Sequence, residues 1–133
     1  MKILVLCDGT TDPQTSLAYG IARARDEKGE LATLHIIQRR PDHGRLAEPG
    51  LSGKALQKTL HILEQTRSWV HDHGGDIRTS SAFTIIRNHD DILRYARDTG
   101  VDLIVAPPAY RSLIDKACCL VDIISAEEAV TAA

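Results

Sequence analysis

The sequence predicts a layered α/β domain in which a parallel sheet carries helices on both faces. Short apolar runs alternate along the chain with longer segments whose apolar residues recur at helical spacing. Strands that alternate with such helices pair in parallel through right-handed crossovers. The chain has 133 residues, so we expect one domain over residues 1–133, with a frayed tail at 126–133.

The first strand and the first helix come at the start of the chain. Residues 2–7 are almost wholly apolar, which is typical of a strand buried on both faces, and Asp8 begins a turn. Asp12 and Pro13 predict a helix N-cap followed by a proline at the first helical position. The helix continues to Gly29. Its apolar face comprises Leu17, Ile21 and Ala24.

A second strand is predicted at Leu31–Ile37, followed by a long surface loop from Gln38 to Gly53. Basic residues in this loop bind an anionic ligand or an acidic patch of a partner, or else they are simply solvated; they are Arg39, Arg40, His43 and Arg45. A long helix from Lys54, closed by Gly74 and Gly75, is expected to pack an apolar stripe on the sheet. That stripe comprises Leu56, Leu60, Leu63 and Val70, widened by Ala55, Ile62 and Trp69.

The third strand is predicted at Ile77–Ile86, a stretch rich in β-branched residues. Asn88 and Asp91 resemble a capping box that uses Asp in place of Glu, so a third helix begins there and ends at Gly100. Val101–Ala106 then predicts a fourth strand.

Pro107 and Pro108 stop the fourth strand, because neither residue can donate to a sheet ladder. Beyond them, Leu120–Ile124 fits a fifth strand, although the apolar residues between 113 and 124 also fit a helical face; we favour the strand. Ligands of open parallel sheets bind beyond the carboxyl ends of the strands. We therefore expect a cleft where Asp8, the loop after the second strand and the two prolines meet.

Charge and composition exclude several classes of partner. Sixteen Lys and Arg against 18 Asp and Glu give a net charge of −2, so no global field draws in nucleic acid or an anionic membrane. No apolar run approaches the roughly 18 residues of a membrane span. The cysteines Cys7, Cys118 and Cys119 form no spaced framework. We expect a cytoplasmic protein with reduced thiols and no membrane insertion.

Two clusters invite a chemical function, and each has a plainer interpretation. His71, Asp72 and His73 look like metal ligands, yet residues i and i+2 of a helix point apart, so we expect no metal there. Cys118 and Cys119 fit an oxidant sensor or a soft-metal site less well than a small apolar pair that enters the last strand. We therefore expect a binding protein. A redox or hydrolytic enzyme is the alternative that these cysteines and histidines leave open.

Three segments together carry a family pattern: residues 2–10 (KILVLCDGT), 34–37 (LHII) and 91–105 (DILRYARDTGVDLIV). In order and spacing they cover about residues 1–106 and resemble the universal stress protein family. The resemblance implies a three-layer α/β fold of the adenine-nucleotide alpha-hydrolase type, with a mostly parallel five-stranded sheet flanked by helices. It also implies a homodimer formed through the last strand.

The resemblance implies where a nucleotide would bind. In the ATP-binding members, an Asp after the first strand and the backbone after the His of the second strand hold the nucleoside. Those positions are Asp8 and Ile36 here, with Gly9 and Thr10 next to Asp8.

The positions that hold the triphosphate depart from the family pattern. ATP-binding members use glycines after the fourth strand, whereas two of those positions are Pro107 and Tyr110 here. All nine glycines of the chain lie at or before Gly100. Glycine permits close backbone approach, and proline has no N–H to offer a phosphate. We therefore expect the Gly-rich triphosphate loop to be missing and most of the fourth helix with it.

Two functional hypotheses follow from the residues and the resemblance. The first is a non-catalytic stress-response protein that acts as a dimeric scaffold for other proteins, with no certain cofactor. The second is a protein that binds AMP, adenosine or another small ligand in preference to ATP through Asp8 and Ile36, in the cleft at the carboxyl ends of the strands.

Overall fold

The computed structural model describes residues 1–8, 13–38, 53–74 and 77–124, with the backbone alone at 38 and 54–56. The regular elements in chain order are β1 (Lys2–Cys7), α1 (Gln14–Asp26), β2 (Glu30–Gln38), α2 (Gly53–Gly74), β3 (Thr79–Ile86), α3 (His89–Asp98), β4 (Leu103–Ala106), α4 (Leu113–Lys116) and β5 (Leu120–Ile123). A turn of 3-10 helix, Pro108–Tyr110, lies between β4 and α4.

The strands form one parallel sheet in the order β3-β2-β1-β4-β5, so β3 and β5 are its edges. Side chains of α1 and α2 pack on one face, and those of α3 and α4 pack on the other. Right-handed crossovers between parallel strands produce this layering. The predicted fold class is therefore confirmed, and the segment that fitted either a strand or a helix forms strand β5.

The central strand β1 sends alternate side chains into two core clusters. Leu4 and Leu6 face α3, whereas Ile3 and Val5 face α1 and α2. All four side chains are 2% exposed or less. Burial of each such side chain contributes about 1.5–3 kcal/mol to the stability of the folded state. β1 is therefore held firmly at the centre of the sheet, and the residue that follows it, Asp8, is held with it.

The end of α1 differs from the prediction. Its last residue is Asp26, and the residue with positive φ is Lys28, at 51°, rather than Gly29. The Gly29 N–H donates to the Ala24 carbonyl at 2.8 Å, which is the closing bond of a Schellman motif. Glycine is needed at position 29 for another reason: a Cβ there would lie 2.2 Å from the Met1 carbonyl oxygen.

Other element bounds shift by a residue or two. Pro13 lies at the N-cap of α1 rather than at its first helical position, and the predicted cap Asp12 lies outside the described residues. β3 begins at Thr79 because Ile77 packs against the α1 and α2 cluster instead.

The buried face of α2 is only partly the predicted one. Val70 is buried, but Leu60 is 50% exposed and Ile62 is 37% exposed. Thr66, absent from the predicted stripe, is 6% exposed. Thr66, Val70 and Gly74 lie four residues apart, so they share the face that the helix turns toward the sheet and α1. Although α2 has 22 residues, no helix in the described ranges is long and apolar enough to cross a membrane.

The N-cap of α3 forms as predicted. The Asn88 Oδ1 accepts a hydrogen bond from the Asp91 N–H at 3.3 Å. The Asp91 Oδ2 in turn accepts one from the Arg87 N–H at 2.9 Å. That bond holds the pKa of Asp91 below its ordinary value, so the carboxylate persists at the N-terminus of the helix, where it is favoured.

The chain between β4 and β5 is short. It contains the 3-10 turn and one turn of α4, whose buried residue is Leu113. α3 is therefore the main cover of β4 and β5 on this face. As a consequence Cys119, Val121 and Ile123 pack against the core but are only partly buried.

Candidate functional site

Three neighbouring parallel strands, β2, β1 and β4, have their carboxyl ends on the same side of the sheet. Asp8 follows β1 directly and Pro107 follows β4. The topology therefore brings the predicted positions Asp8, Ile36 and Pro107 to the edge where ligands of such sheets bind. Residues 9–12 and 39–52 leave from this edge; they lie outside the described residues, and Gly9, Thr10 and the basic loop lie there with them.

Asp8 and Ile36 both lie just beyond the last rung of the β1–β2 ladder, which pairs Cys7 with His35. On its other side Ile36 pairs with Thr84 of β3, and its side chain is 5% exposed. Asp8 is half-buried. A ligand at this corner would meet the carboxylate of Asp8 and the β2 backbone where it extends past β1.

Two buried titratable side chains lie beneath the corner. Burial, with a smaller contribution from the charge of Asp8, raises the pKa of the Cys7 thiol to about 12. Burial also lowers the pKa of His35, whose Nε2 has no hydrogen-bond partner among the described residues. At neutral pH both groups are uncharged, so Cys7 is not a nucleophile. Among the described residues of this corner, Asp8 is the one that carries charge.

The loop after β4 uses its donors internally. Pro107 and Pro108 have no N–H. The Tyr110 N–H donates to the Pro107 carbonyl at 3.0 Å, and the Arg111 N–H donates to the Pro108 carbonyl at 3.2 Å. These bonds close the 3-10 turn, and they direct the N–H groups of Tyr110 and Arg111 back into the turn rather than toward the cleft.

Tyr110 is a core residue that the sequence analysis missed. Its side chain is 1% exposed and packs in the cluster beneath α3. Its ring meets that of His89 at a centroid distance of 4.9 Å, and the His89 Nδ1 lies 2.9 Å from the Ser112 Oγ. Tyr110 and Leu113 are three residues apart, and this helical spacing after Pro108 was the available signal.

His73, at the end of α2, packs against a residue of its own helix. The His73 ring stacks on Trp69 with centroids 4.0 Å apart, and its Nδ1 lies 2.7 Å from the Trp69 carbonyl oxygen. Within the described ranges, no group of three or more His, Cys, Asp or Glu side chains could hold a metal ion.

A comparison with family models places most of the chain in one family. The model of the universal stress protein family matches residues 1–117. The chain belongs to the universal stress protein family. No curated protein sequence is significantly similar to it.

Solved structures of universal stress proteins share the fold. A family protein from Burkholderia pseudomallei has a TM-score of 0.71 at 20% identity, over 94% of this chain and 96% of that one. The Archaeoglobus fulgidus protein in complex with dAMP has a TM-score of 0.71 at 20% identity, over 94% and 98%. A family protein from Arabidopsis thaliana with AMP bound has a TM-score of 0.64 at 15% identity, over 96% and 94%.

Proposed function

We propose that this universal stress protein is a non-catalytic, homodimeric binding protein of the stress response that has no site for a nucleoside triphosphate. The loop after β4 carries the proposal. Four of the five residues from Pro107 to Arg111 offer no N–H to a ligand, since two are prolines and the N–H groups of Tyr110 and Arg111 are bonded inside the turn. A phosphate cradle needs several backbone N–H groups that point at the ligand.

The surface proposed for the dimer is the side of β5 that pairs with no other strand of the described sheet. The N–H groups of Leu120 and Ile124 donate to carbonyls of the β4 side at 3.2 and 2.9 Å. Because strand residues alternate, the backbone groups of Val121 and Ile123 point away from β4. Leu120 is 61% exposed. An apolar edge with outward backbone groups is a template for a second strand, and a two-fold axis would pair two copies of β5.

Light scattering with two matched lysine variants tests the dimer. Leu120→Lys places a charge on the β5 edge, and Ile114→Lys places one on α4, where Ile114 is 52% exposed. We expect the wild type and Ile114→Lys to have twice the chain mass at micromolar concentrations, and Leu120→Lys to have the mass of one chain. A wild-type monomer, or an unaffected Leu120→Lys dimer, would contradict the proposal.

The free thiols and the small net charge bear on the compartment and on the kind of partner. Cys7, Cys118 and Cys119 are free thiols, which supports a cytoplasmic protein, since reducing compartments keep thiols free. The net charge of −2 supports protein partners over nucleic acid.

A second candidate function, the binding of AMP or adenosine, is supported by Asp8. Similar structures are described with dAMP and AMP bound. The Asp8 carboxylate, at the end of β1, is suited to accept hydrogen bonds from ribose hydroxyls. The β2 backbone beyond the Cys7 and His35 rung would meet the base. Binding of the ribose and the base in this way needs no N–H donor from the loop after β4.

Thermal shift with a matched pair of variants tests this second function. AMP or adenosine at 100 times its dissociation constant adds about 2.7 kcal/mol of stability, which raises the midpoint of a small domain by several degrees. We expect Asp8→Asn to abolish the shift and Asp72→Asn, on the exposed end of α2, to keep it. No shift with either compound, or an equal shift in Asp8→Asn, would refute adenosine binding at this corner.

A further inference from the structure

A second candidate ligand site lies on the α3 face of the domain, apart from the corner at Asp8. It is a cavity of about 530 Å³ between α3 and the segment that leads from α4 into β5. Its lining includes Gly100 and Val101, which precede β4, and Cys118 and Cys119, which precede β5. This part of the cavity therefore lies at the amino ends of these strands, whereas Asp8 follows the carboxyl end of β1.

The short α4 leaves this cavity open. α4 ends at Lys116, and from there the chain runs directly into β5. The floor beneath α3 is apolar: Ala96 is 3% exposed and Val101 is 8% exposed. A ligand that enters here meets an apolar floor and a wall made by the two adjacent cysteines.

The lining carries an excess of positive charge. Arg94, Arg97 and Lys116 line the cavity with one carboxylate, that of Asp90. Lys116 and Asp90 are 3.9 Å apart and both about two-thirds exposed, as are Arg97 and Asp98 at 3.8 Å. Exposed pairs of this kind contribute about 0–1 kcal/mol, so an anionic ligand displaces them at little cost.

The two thiols differ in exposure. Cys118 is exposed, contrary to the expectation of a small apolar pair, whereas Cys119 is half-buried and packs against the core. Burial, then the neighbouring Cys118 and Asp102, raises the pKa of Cys119. Cys118 is therefore the thiol that a ligand in the cavity reaches, and Cys119 stays protonated beside it.

We propose that this cavity binds small anionic disulfides and that Cys118 is a site of reversible S-thiolation. The cations Arg94, Arg97 and Lys116 hold the carboxylates of the disulfide, and the exposed Cys118 Sγ meets its sulfur. Oxidised glutathione, a peptide disulfide with an excess of carboxylates, is the probe for this class.

The reaction is a thiol–disulfide exchange. The Cys118 thiol loses its proton to solvent, and the thiolate attacks one sulfur of the bound disulfide. A new S–S bond joins Cys118 to that half, the original S–S bond breaks, and the other half leaves as a thiolate that takes up a proton. Cys119 displaces the bound half poorly, because a disulfide between adjacent residues closes a strained ring across one peptide bond. The mixed disulfide therefore persists until an external thiol reduces it.

The experiment compares the rates of modification by two disulfides, oxidised glutathione and uncharged bis(2-hydroxyethyl) disulfide, followed by intact mass and peptide mapping. Arg94→Gln/Arg97→Gln removes two cavity cations, and Lys58→Gln/Arg67→Gln removes two exposed cations of α2. We expect the first pair to slow the glutathione reaction about three- to tenfold at low salt, while its reaction with the uncharged reagent stays unchanged. The second pair should match the wild type with both reagents.

Two further results decide the assignment. We expect the mass adduct on Cys118, and we expect Cys118→Ser to abolish it while Cys119→Ser retains it. Modification mainly at Cys7 or Cys119 would overturn the proposal. Equal slowing of both reagents in Arg94→Gln/Arg97→Gln would also overturn it, because charge recognition in the cavity would then play no part.

Discussion

The Tyr19 hydroxyl on α1 donates a hydrogen bond to the Asp122 Oδ2 on β5 at 2.5 Å, between residues 103 positions apart in the chain. Burial, followed by the Asp122 carboxylate, raises the pKa of Tyr19 above its ordinary value. The hydroxyl therefore keeps its proton through the neutral range. This bond ties the edge strand, on which the proposed dimer depends, to the helix layer on the opposite face from α3.

Removal of the Tyr19 hydroxyl tests this tie. Tyr19→Phe should lower the free energy of unfolding by about 1–2 kcal/mol, since a half-buried carboxylate loses a donor. Tyr95→Phe, at a half-buried tyrosine of α3, should change it by less than about 0.5 kcal/mol. Urea denaturation measures both values. Equal stability of Tyr19→Phe and the wild type would show that the bond contributes nothing.

Because His35 is buried, we expect the free energy of unfolding to fall in mild acid. Burial lowers its pKa in the folded state, so the unfolded chain binds a proton more readily. Stability therefore falls as the pH drops below about 6.5, the ordinary pKa of histidine, toward the folded-state value. His35→Leu should reduce this fall between pH 8 and pH 5.5, roughly, in urea titrations, whereas His61→Gln on exposed α2 should retain it. If the stability of His35→Leu fell with pH as steeply as that of the wild type, His35 would not be the cause of the loss in mild acid.

Replacement of glycine by alanine should have different effects on stability at Gly20 and at Gly53. A Cβ at Gly20 would lie 2.7 Å from the Val5 Cγ2 and 3.0 Å from the Leu31 Cδ1, at the contact between α1 and the sheet. Gly20→Ala should destabilise the protein by about 1–3 kcal/mol through overpacking. Among the described residues a Cβ at Gly53 meets nothing within 4 Å, so Gly53→Ala should be nearly neutral. Thermal denaturation ranks the two variants, and the reverse order would contradict the close packing of α1.

Thiol labelling separates the buried cysteine from the exposed one. Iodoacetamide at mildly alkaline pH should modify Cys118 first and leave Cys7 unmodified until the protein unfolds, because burial raises the pKa of Cys7 to about 12. Peptide mapping at successive times reads the order. Early labelling of Cys7 in the folded protein would show that the core around β1 opens readily.

Strands and helices were predictable where the pattern had one physical interpretation. The short, almost wholly apolar run of residues 2–7 is typical of a strand buried on both faces, and it forms β1 at those bounds. The ambiguous segment at Leu120 became strand β5 because the edge of β4 offered it backbone partners. Periodicity alone did not contain that information.

The missed features depend on contacts between distant residues. The apolar stripe of α2 was broad enough to permit several rotations. The rotation that packs Val70 against the α1 residues of the core buries Thr66 and exposes Leu60. The cavity at Cys118 lies between α3 and the segment that follows the single turn of α4, and its lining residues come from both parts of the chain. The site at Asp8 was predictable as a strand end, because parallel strands place their carboxyl ends at one edge.

Calorimetric titration with ATP and Mg²⁺, against AMP, measures whether this protein holds a triphosphate. We expect ATP to bind no more tightly than AMP, because the turn from Pro107 to Arg111 offers no cradle of N–H groups to the added phosphates. A tenfold or larger gain in affinity for ATP, about 1.4 kcal/mol, would contradict it by showing that this protein holds the triphosphate.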